Sequence, residues 1–287
     1  MNANRARVLL QSGYVLHRRA YRDSSLLVEL FTPQFGRVGV IARGARQPKS
    51  RLHGVLQPFR PLLLSWSGSG ELPGLTGGEP DGAVPWLTGQ ALMGGFYVNE
   101  LLMRLLHRFD PHPDLYAIYH RTVHILGEIG QMSENAAASS LKLERNLRLF
   151  EKHLLEEIGY GLVLEHDADE GRPIEAQQMY VYHPMQGPVR LGDGAEMMPN
   201  RLTIHGRSLL DLAHGSLEDG ESLREVKRLT RAALAAQLGE RPLASRRLFR
   251  IEKQGSGQKK DRGAEIEQEV DLINPRSSIP VFKKDTP

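Results

Sequence analysis

The alternation of apolar and polar residues changes character once along this chain, near residue 85. Before that point the apolar residues come in short runs with no helical period. Residues 5–16 mix apolar and β-favouring positions, and residues 25–31 read Ser-Leu-Leu-Val-Glu-Leu-Phe, a half-buried strand. Thr32-Pro33-Gln34-Phe35-Gly36 has turn chemistry, because proline presets φ and glycine accepts φ > 0. Residues 37–43 alternate as Arg-Val-Gly-Val-Ile-Ala-Arg, which predicts a hairpin over 25–43. A polar loop with Pro48 follows over 44–50. Strand character resumes over 55–66, where Pro58 and Pro61 predict an edge or bulged strand, and a last short strand is expected over 71–79. Several short strands within about 80 residues predict a sandwich or a five-stranded barrel.

Residues 68–89 are rich in Gly and Pro and read as a boundary. Beyond them the period lengthens. Leu92, Phe96, Leu101, Leu102 and Leu105 predict a buried helix over 88–108, and helices over 113–129 and 139–158 follow. Gly159 and Gly161 end the third of these. Residues 162–204 hold Pro173, Pro184, Pro188 and Pro199 and read as a loop-rich insertion, with Tyr180-Val181-Tyr182 as its one strand. Three more helices are expected over 205–213, 222–238 and 245–253. The fold class is therefore α+β and multidomain. It comprises a β domain over 1–80, an α-helical domain over 86–252 with an irregular insertion at about 162–204, and a polar, disordered tail over 253–287.

Charge sharpens this picture. The 287 residues sum to only +3, yet the first sixty carry 11 Lys and Arg against 2 acids. No Asp or Glu occurs between Leu30 and Gly70. So localised a positive field attracts polyanions, nucleic acid first among them; the competing reading is a solvated basic face. There is no cysteine, which excludes disulfides, thiolate zinc sites and thiol nucleophiles and suits a reducing cytosol. The opening apolar run is too short for a signal peptide, and no stretch approaches the roughly 20 apolar residues of a membrane span. A soluble cytoplasmic protein is expected.

Enzyme motifs are sparse. No phosphate loop, no Gly-x-Ser-x-Gly elbow and no His-Glu-x-x-His helix occurs. Glu165-His166-Asp167-Ala168-Asp169-Glu170 could bind a hard divalent cation, although a solvated acidic loop explains it as well. His153 beside Glu156 and Glu157 reads as a surface ion pair. The basic segment has better binding chemistry, since phosphates need cations and unpaired bases need flat faces. Tyr14, Tyr21, Phe31, Phe35, Phe59 and Trp66 are interleaved with its cations, with Phe31 and Phe59 expected in the core. A second basic feature, Ser245-Arg246-Arg247-Leu248-Phe249-Arg250, would extend the track or form a solvated terminal helix.

The same residues carry a resemblance. Tyr14-Val15-Leu16-His17-Arg18-Arg19, Asp23-Ser24-Ser25-Leu26, Gly36-Arg37-Val38, Ala42-Arg43-Gly44-Ala45-Arg46 and Lys49-Ser50-Arg51-Leu52 occur in order. Gly95-Phe96-Tyr97-Val98-Asn99-Glu100, Arg148-Leu149-Phe150-Glu151, Ile158-Gly159-Tyr160-Gly161 and Ser245–Arg250 continue the series. Over about residues 8 to 252 the chain resembles the RecO family of bacterial recombination mediators, most of all its cysteine-free proteobacterial branch. The resemblance implies an N-terminal OB-fold barrel and a helical domain with no enzymatic activity and no cofactor. It implies binding to single- and double-stranded DNA at the nucleoid, annealing of complementary strands, and loading of RecA onto DNA coated by single-strand-binding protein (SSB), with RecR, and often RecF, as partners. It casts Arg18, Arg19, Arg37, Arg43, Arg46, Lys49 and Arg51 as phosphate contacts, with Arg246, Arg247 and Arg250 as further ones. A pocket for the SSB C-terminal tail would draw on Tyr97, Leu101, Arg104, Arg121, Arg145 and Arg148. Some relatives hold a four-cysteine zinc site after the Gly-Tyr-Gly motif; residues 162–204 lack cysteine here, so no zinc is expected. The tail is also longer than the family pattern. Two other readings remain open, an OB-fold RNA-binding factor and a metal-dependent hydrolase built on the acids at 165–170.

Overall fold

The computed structural model describes residues 7–82, 86–132, 136–192, 201–239 and 241–245. Strands β1 (Arg7–Tyr21), β2 (Ser25–Thr32), β3 (Gly36–Ala42), β4 (Pro61–Ser67) and β5 (Gly74–Pro80) close into a barrel in the order β1-β2-β3-β5-β4. β3 and β5 are its parallel pair, joined at Ile41 and Gly74. This is the OB-type closure. β1 serves two neighbours: Arg7 to Tyr14 face β4, and Tyr14 to Tyr21 face β2. Register breaks between Val8 and Gln11 and between Val15 and His17 allow the long strand to bend round the barrel.

The period of two sorts the side chains. Val15, Val28, Leu30, Val38 and Val40 fill the barrel with Leu62, Leu64 and Trp66. Their neighbours Tyr14, Leu16 and Phe31 point outwards into a second core shared with the helices. Those helices are α1 (Gly89–Leu105), α2 (Pro113–Gln131) and α3 (Ala136–Glu157). Pro113 opens α2, where a missing N–H costs nothing, and Gly159 at φ +83° follows α3. Gly95 on α1 has no side chain where a Cβ would meet Phe59 and Leu87 at 2.8 Å, so the barrel connection can dock there.

Polar contacts fix the junction. The Asn99 amide donates to the Leu16 carbonyl at 2.8 Å and accepts from the Tyr119 hydroxyl at 2.8 Å. The Tyr14 hydroxyl meets His120 Nδ1 at 2.6 Å, and the Phe109 N–H donates to the Arg37 carbonyl at 3.0 Å. Barrel and helices therefore share one core and one hydrogen-bond network.

Two expectations are corrected. The fourth strand starts at Pro61 rather than 55, because residues 51–60 turn beside β1 and bridge to it only through Val15 and Pro58. The last short strand, expected over 71–79, is β5. The insertion, expected to hold one strand, holds three among its described residues. Within it β6 (Met179–His183), β7 (Gly187–Arg190) and β8 (Thr203–His205) form an antiparallel sheet in the order β7-β6-β8. That sheet packs on α4 (Gly206–His214) and α5 (Gly220–Leu238) around Tyr180, Tyr182, Ile204, Leu209, Val226 and Leu229. Asp219 caps α5 by accepting from the Ser222 N–H at 3.2 Å. The predicted helix over 245–253 beyond its first residue, and the tail, lie outside the described residues.

Candidate nucleic-acid interface

The outer face of β1–β2–β3 is a ladder of side chains whose two ends differ. At one end Tyr14, Phe31 and Arg37 stand in register, followed by His17, Glu29 and Gly39. Next come Arg19, Leu27 and Ile41, and then the β1–β2 turn. The helical domain covers the first end. Tyr116 and Tyr119 of α2 meet Phe31 at ring distances of 5.6 and 5.7 Å. Glu29 is buried there between Arg37, 3.6 Å away, and Arg108. Arg37 also donates to the Met103 carbonyl, and its side chain is 15% exposed. Burial pulls its pKa below the usual arginine value, with Glu29 opposing that shift and Arg108 adding to it. Arg37, expected at a phosphate, is committed to the junction instead.

Three connections meet at the opposite end. The Arg46 N–H donates to the Ser24 carbonyl at 2.9 Å, and its guanidinium reaches the Arg22 and Asp23 carbonyls at 3.2 Å. The Ile41 N–H donates to the Pro73 carbonyl at 2.9 Å, which brings the β4–β5 loop beside the end of β3. Arg43, Arg46, Lys49 and Arg51 are all exposed on the connection that leaves β3. Arg18 and Arg19 are half-buried on β1, and Arg18 donates to the Leu56 carbonyl at 3.1 Å. Of the two acids in the first sixty residues, Glu29 is buried at the far end, which leaves Asp23 exposed at this one. The β1–β2 and β4–β5 loops are the pair with which OB folds grip oligonucleotides. Arg246, Arg247 and Arg250 lie outside the described residues.

Most interleaved aromatics are not stacking platforms. Tyr14, Phe31, Phe59 and Trp66 are buried, and Phe35 packs edge-on against Trp66 at 5.3 Å. The most exposed aromatic among the described residues is Trp86, at 65%, lying in the connection to α1 under the Arg60 guanidinium. Sequence reading missed it, because a tryptophan in a Gly- and Pro-rich stretch belongs to no periodic pattern.

Of the six residues suggested for a peptide pocket, Tyr97 and Arg148 meet at Glu151 in the core. Tyr97 and Leu101 are core residues of α1, and the Tyr97 hydroxyl donates to Glu151 at 2.6 Å. Arg148 is buried against Glu151 at 2.6 Å. Arg104 and Arg145 tie down carbonyls of Leu238 and Gly215, each at 2.7 Å, and Arg121 stands exposed on α2. A separate apolar groove of about 230 Å³ lies between Tyr160, Val163, Met185 and α5 and contains none of the six.

The acids at 165–170 form a turn, in which Asp167 accepts from the N–H groups of Glu170 and Gly171 at 2.7 and 3.0 Å. Glu165 pairs with His214 and Glu170 with Arg172. Among the described residues, the grouping that could hold a metal is instead His205, Glu221 and Glu225. Glu225 already accepts from the His205 N–H at 3.0 Å and the Ser208 hydroxyl at 2.7 Å, and its other oxygen meets His205 Nδ1 at 2.8 Å. It thereby clamps β8 to α5.

Comparison with known proteins adds to this geometry. The family model described as Recombination protein O N terminal matches residues 7–82, and that described as Recombination protein O C terminal matches residues 87–247. The DNA repair protein RecO of Nitrosococcus oceani is 47% identical over 244 residues, covering 85% of this chain and 93% of that protein. The DNA repair protein RecO of Alkalilimnicola ehrlichii is 48% identical over 244 residues, covering 85% and 92%. That of Aromatoleum aromaticum is 42% identical over 248 residues, covering 86% and 98%.

Proposed function

The chain belongs to the RecO family, and on that premise we propose that it is a DNA-binding recombination mediator and not an enzyme. It anneals complementary single strands and, with RecR (and RecF), helps load RecA onto SSB-coated single-stranded DNA during recombinational repair. One observation carries the DNA-binding part. Arg43, Arg46, Lys49 and Arg51 stand exposed on the connection that leaves β3, which Arg46 ties to the β1–β2 turn beside the β4–β5 loop of an OB-type barrel. Cations so placed hold phosphates and read no sequence, which suits a mediator that must accept any strand. Annealing brings two polyanions together, and a cationic surface lowers their mutual repulsion. Arg18 and Arg19 border this surface on β1.

The test is annealing of complementary oligonucleotides coated with SSB, with wild type and with a variant in which Arg43, Arg46, Lys49 and Arg51 are all changed to Glu. Acceleration by wild type and its loss in the folded variant is the expected result. No acceleration by wild type, even at low salt, overturns the proposal.

A further inference from the structure

The connection from β3 to β4 starts beside the β1–β2 turn and leads elsewhere. From Arg43 it carries Arg46, Lys49 and Arg51 with no acid, then passes β1, where Arg18 holds the Leu56 carbonyl and Val15 bridges to Pro58. It ends at Arg60, immediately before β4. The Arg60 guanidinium lies 4.3 Å from the centroid of the Trp86 ring. Beside the pair is a groove of about 210 Å³ whose lining includes Pro58, Leu92 and Phe96. Phe59, edge-on to Phe96 at 5.2 Å, also lines it. The adjoining acid, Asp81, has its carboxylate 3.5 Å from the Ser12 hydroxyl on β1.

A tryptophan 65% exposed beside an apolar groove gains little by packing, whereas its uncovered face suits a flat partner. A cation over an indole at the end of an acid-free cationic path calls for a ligand that is both flat and anionic. Proteins that hold single strands combine these two elements, a basic track for the backbone and an aromatic face for the bases. Resting on the DNA-binding reading above, we infer that Trp86 and Arg60 form a stacking station for one unpaired nucleobase. The base stacks on the free face of the indole over the groove, and its phosphate lies along Arg60 and the connection behind it. A paired base cannot offer its face, so the station favours single strands over duplex.

The chain has two tryptophans, and Trp66 is 5% exposed inside the barrel, so a change in the exposed indole is read directly from intrinsic fluorescence. The experiment titrates the full chain with a fluorescein-labelled oligonucleotide for anisotropy, and with the same unlabelled strand for tryptophan emission. Its duplex and inorganic polyphosphate serve as controls. The expected result is quenching by the single strand that is absent with polyphosphate and weak with duplex. In Trp86→Leu the quenching should vanish and single-strand affinity should fall roughly tenfold at an unchanged unfolding temperature. Arg60→Gln should weaken the single strand more than the duplex. Binding seen by anisotropy with unaltered tryptophan emission overturns the station and leaves the basic track standing. Equal quenching by polyphosphate also overturns it, because no base is then involved. No binding to any oligonucleotide at low salt overturns both the station and the DNA-binding reading on which it rests.

Discussion

Arg148 and Arg43 are the same residue type with opposite fates. Arg43 is solvated, so Arg43→Ala should change stability by no more than about 0.5 kcal/mol. Arg148 and Glu151 lie one turn apart on α3 with side chains 4% and 0% exposed, and Tyr97 completes the cluster. Glu151→Ala leaves a buried guanidinium without its counter-charge, and should cost about 3–5 kcal/mol in urea unfolding. Glu225 makes a second residue-scale prediction. Burial raises its pKa, but hydrogen bonds from Ser208 and from the His205 backbone and ring outweigh this and hold it below the ordinary 4.5. A carboxylate depressed in the folded state adds stability that is fully present above its unfolded pKa and lost as pH falls through the folded one. Unfolding temperature should therefore decline below about pH 4.5 less steeply in Glu225→Gln than in wild type, with the variant the less stable of the two near pH 7.

At the scale of elements, the β2–β3 hairpin is where the helical domain grips the barrel. Gly36 has φ +61°, and a Cβ there would come within 1.8 Å of the Asp110 carbonyl oxygen. Gly36→Ala should cost more than about 1 kcal/mol, through both the left-handed backbone and the clash. Gly54, with nothing within 4 Å of its would-be Cβ, is the control, and Gly54→Ala should stay within about 0.5 kcal/mol. Chemical denaturation of both variants checks the pair. The hairpin over 25–43 is legible in sequence because seven register pairs sustain the alternation between Leu26–Ala42 and Thr32–Gly36. The β7-β6-β8 sheet is not, since strands of 3 to 5 residues are too short to display a period.

For the whole molecule the governing quantity is where the positive field lies. If about five phosphates are neutralised, log affinity for a single strand should fall with log salt at a slope of about −3.5, so a fourfold rise in salt weakens binding about a hundredfold. Anisotropy titrations at several salt concentrations measure it. The variant with Arg43, Arg46, Lys49 and Arg51 changed to Glu should bring the slope close to zero. A wild-type slope near zero would remove the electrostatic basis of the proposed function.

Local pattern and composition determine much of this protein by themselves. They set the strands of the hairpin, the three helices that cover the barrel and the segregation of charge into the first sixty residues, because each depends on neighbours a few positions away. Tertiary structure alone decides which cations stay free. Arg37 stands near the start of β3 and Arg43 just past its end, six residues on, with nothing local to separate them. Arg37 is held by Glu29 and by the carbonyl of Met103, which the chain supplies 66 residues later, whereas Arg43 stands exposed. Trp86 follows the same rule, since its exposure depends on how far the groove walls of α1 rise around it. Long-range packing, which no local period encodes, drew the line between junction and interface.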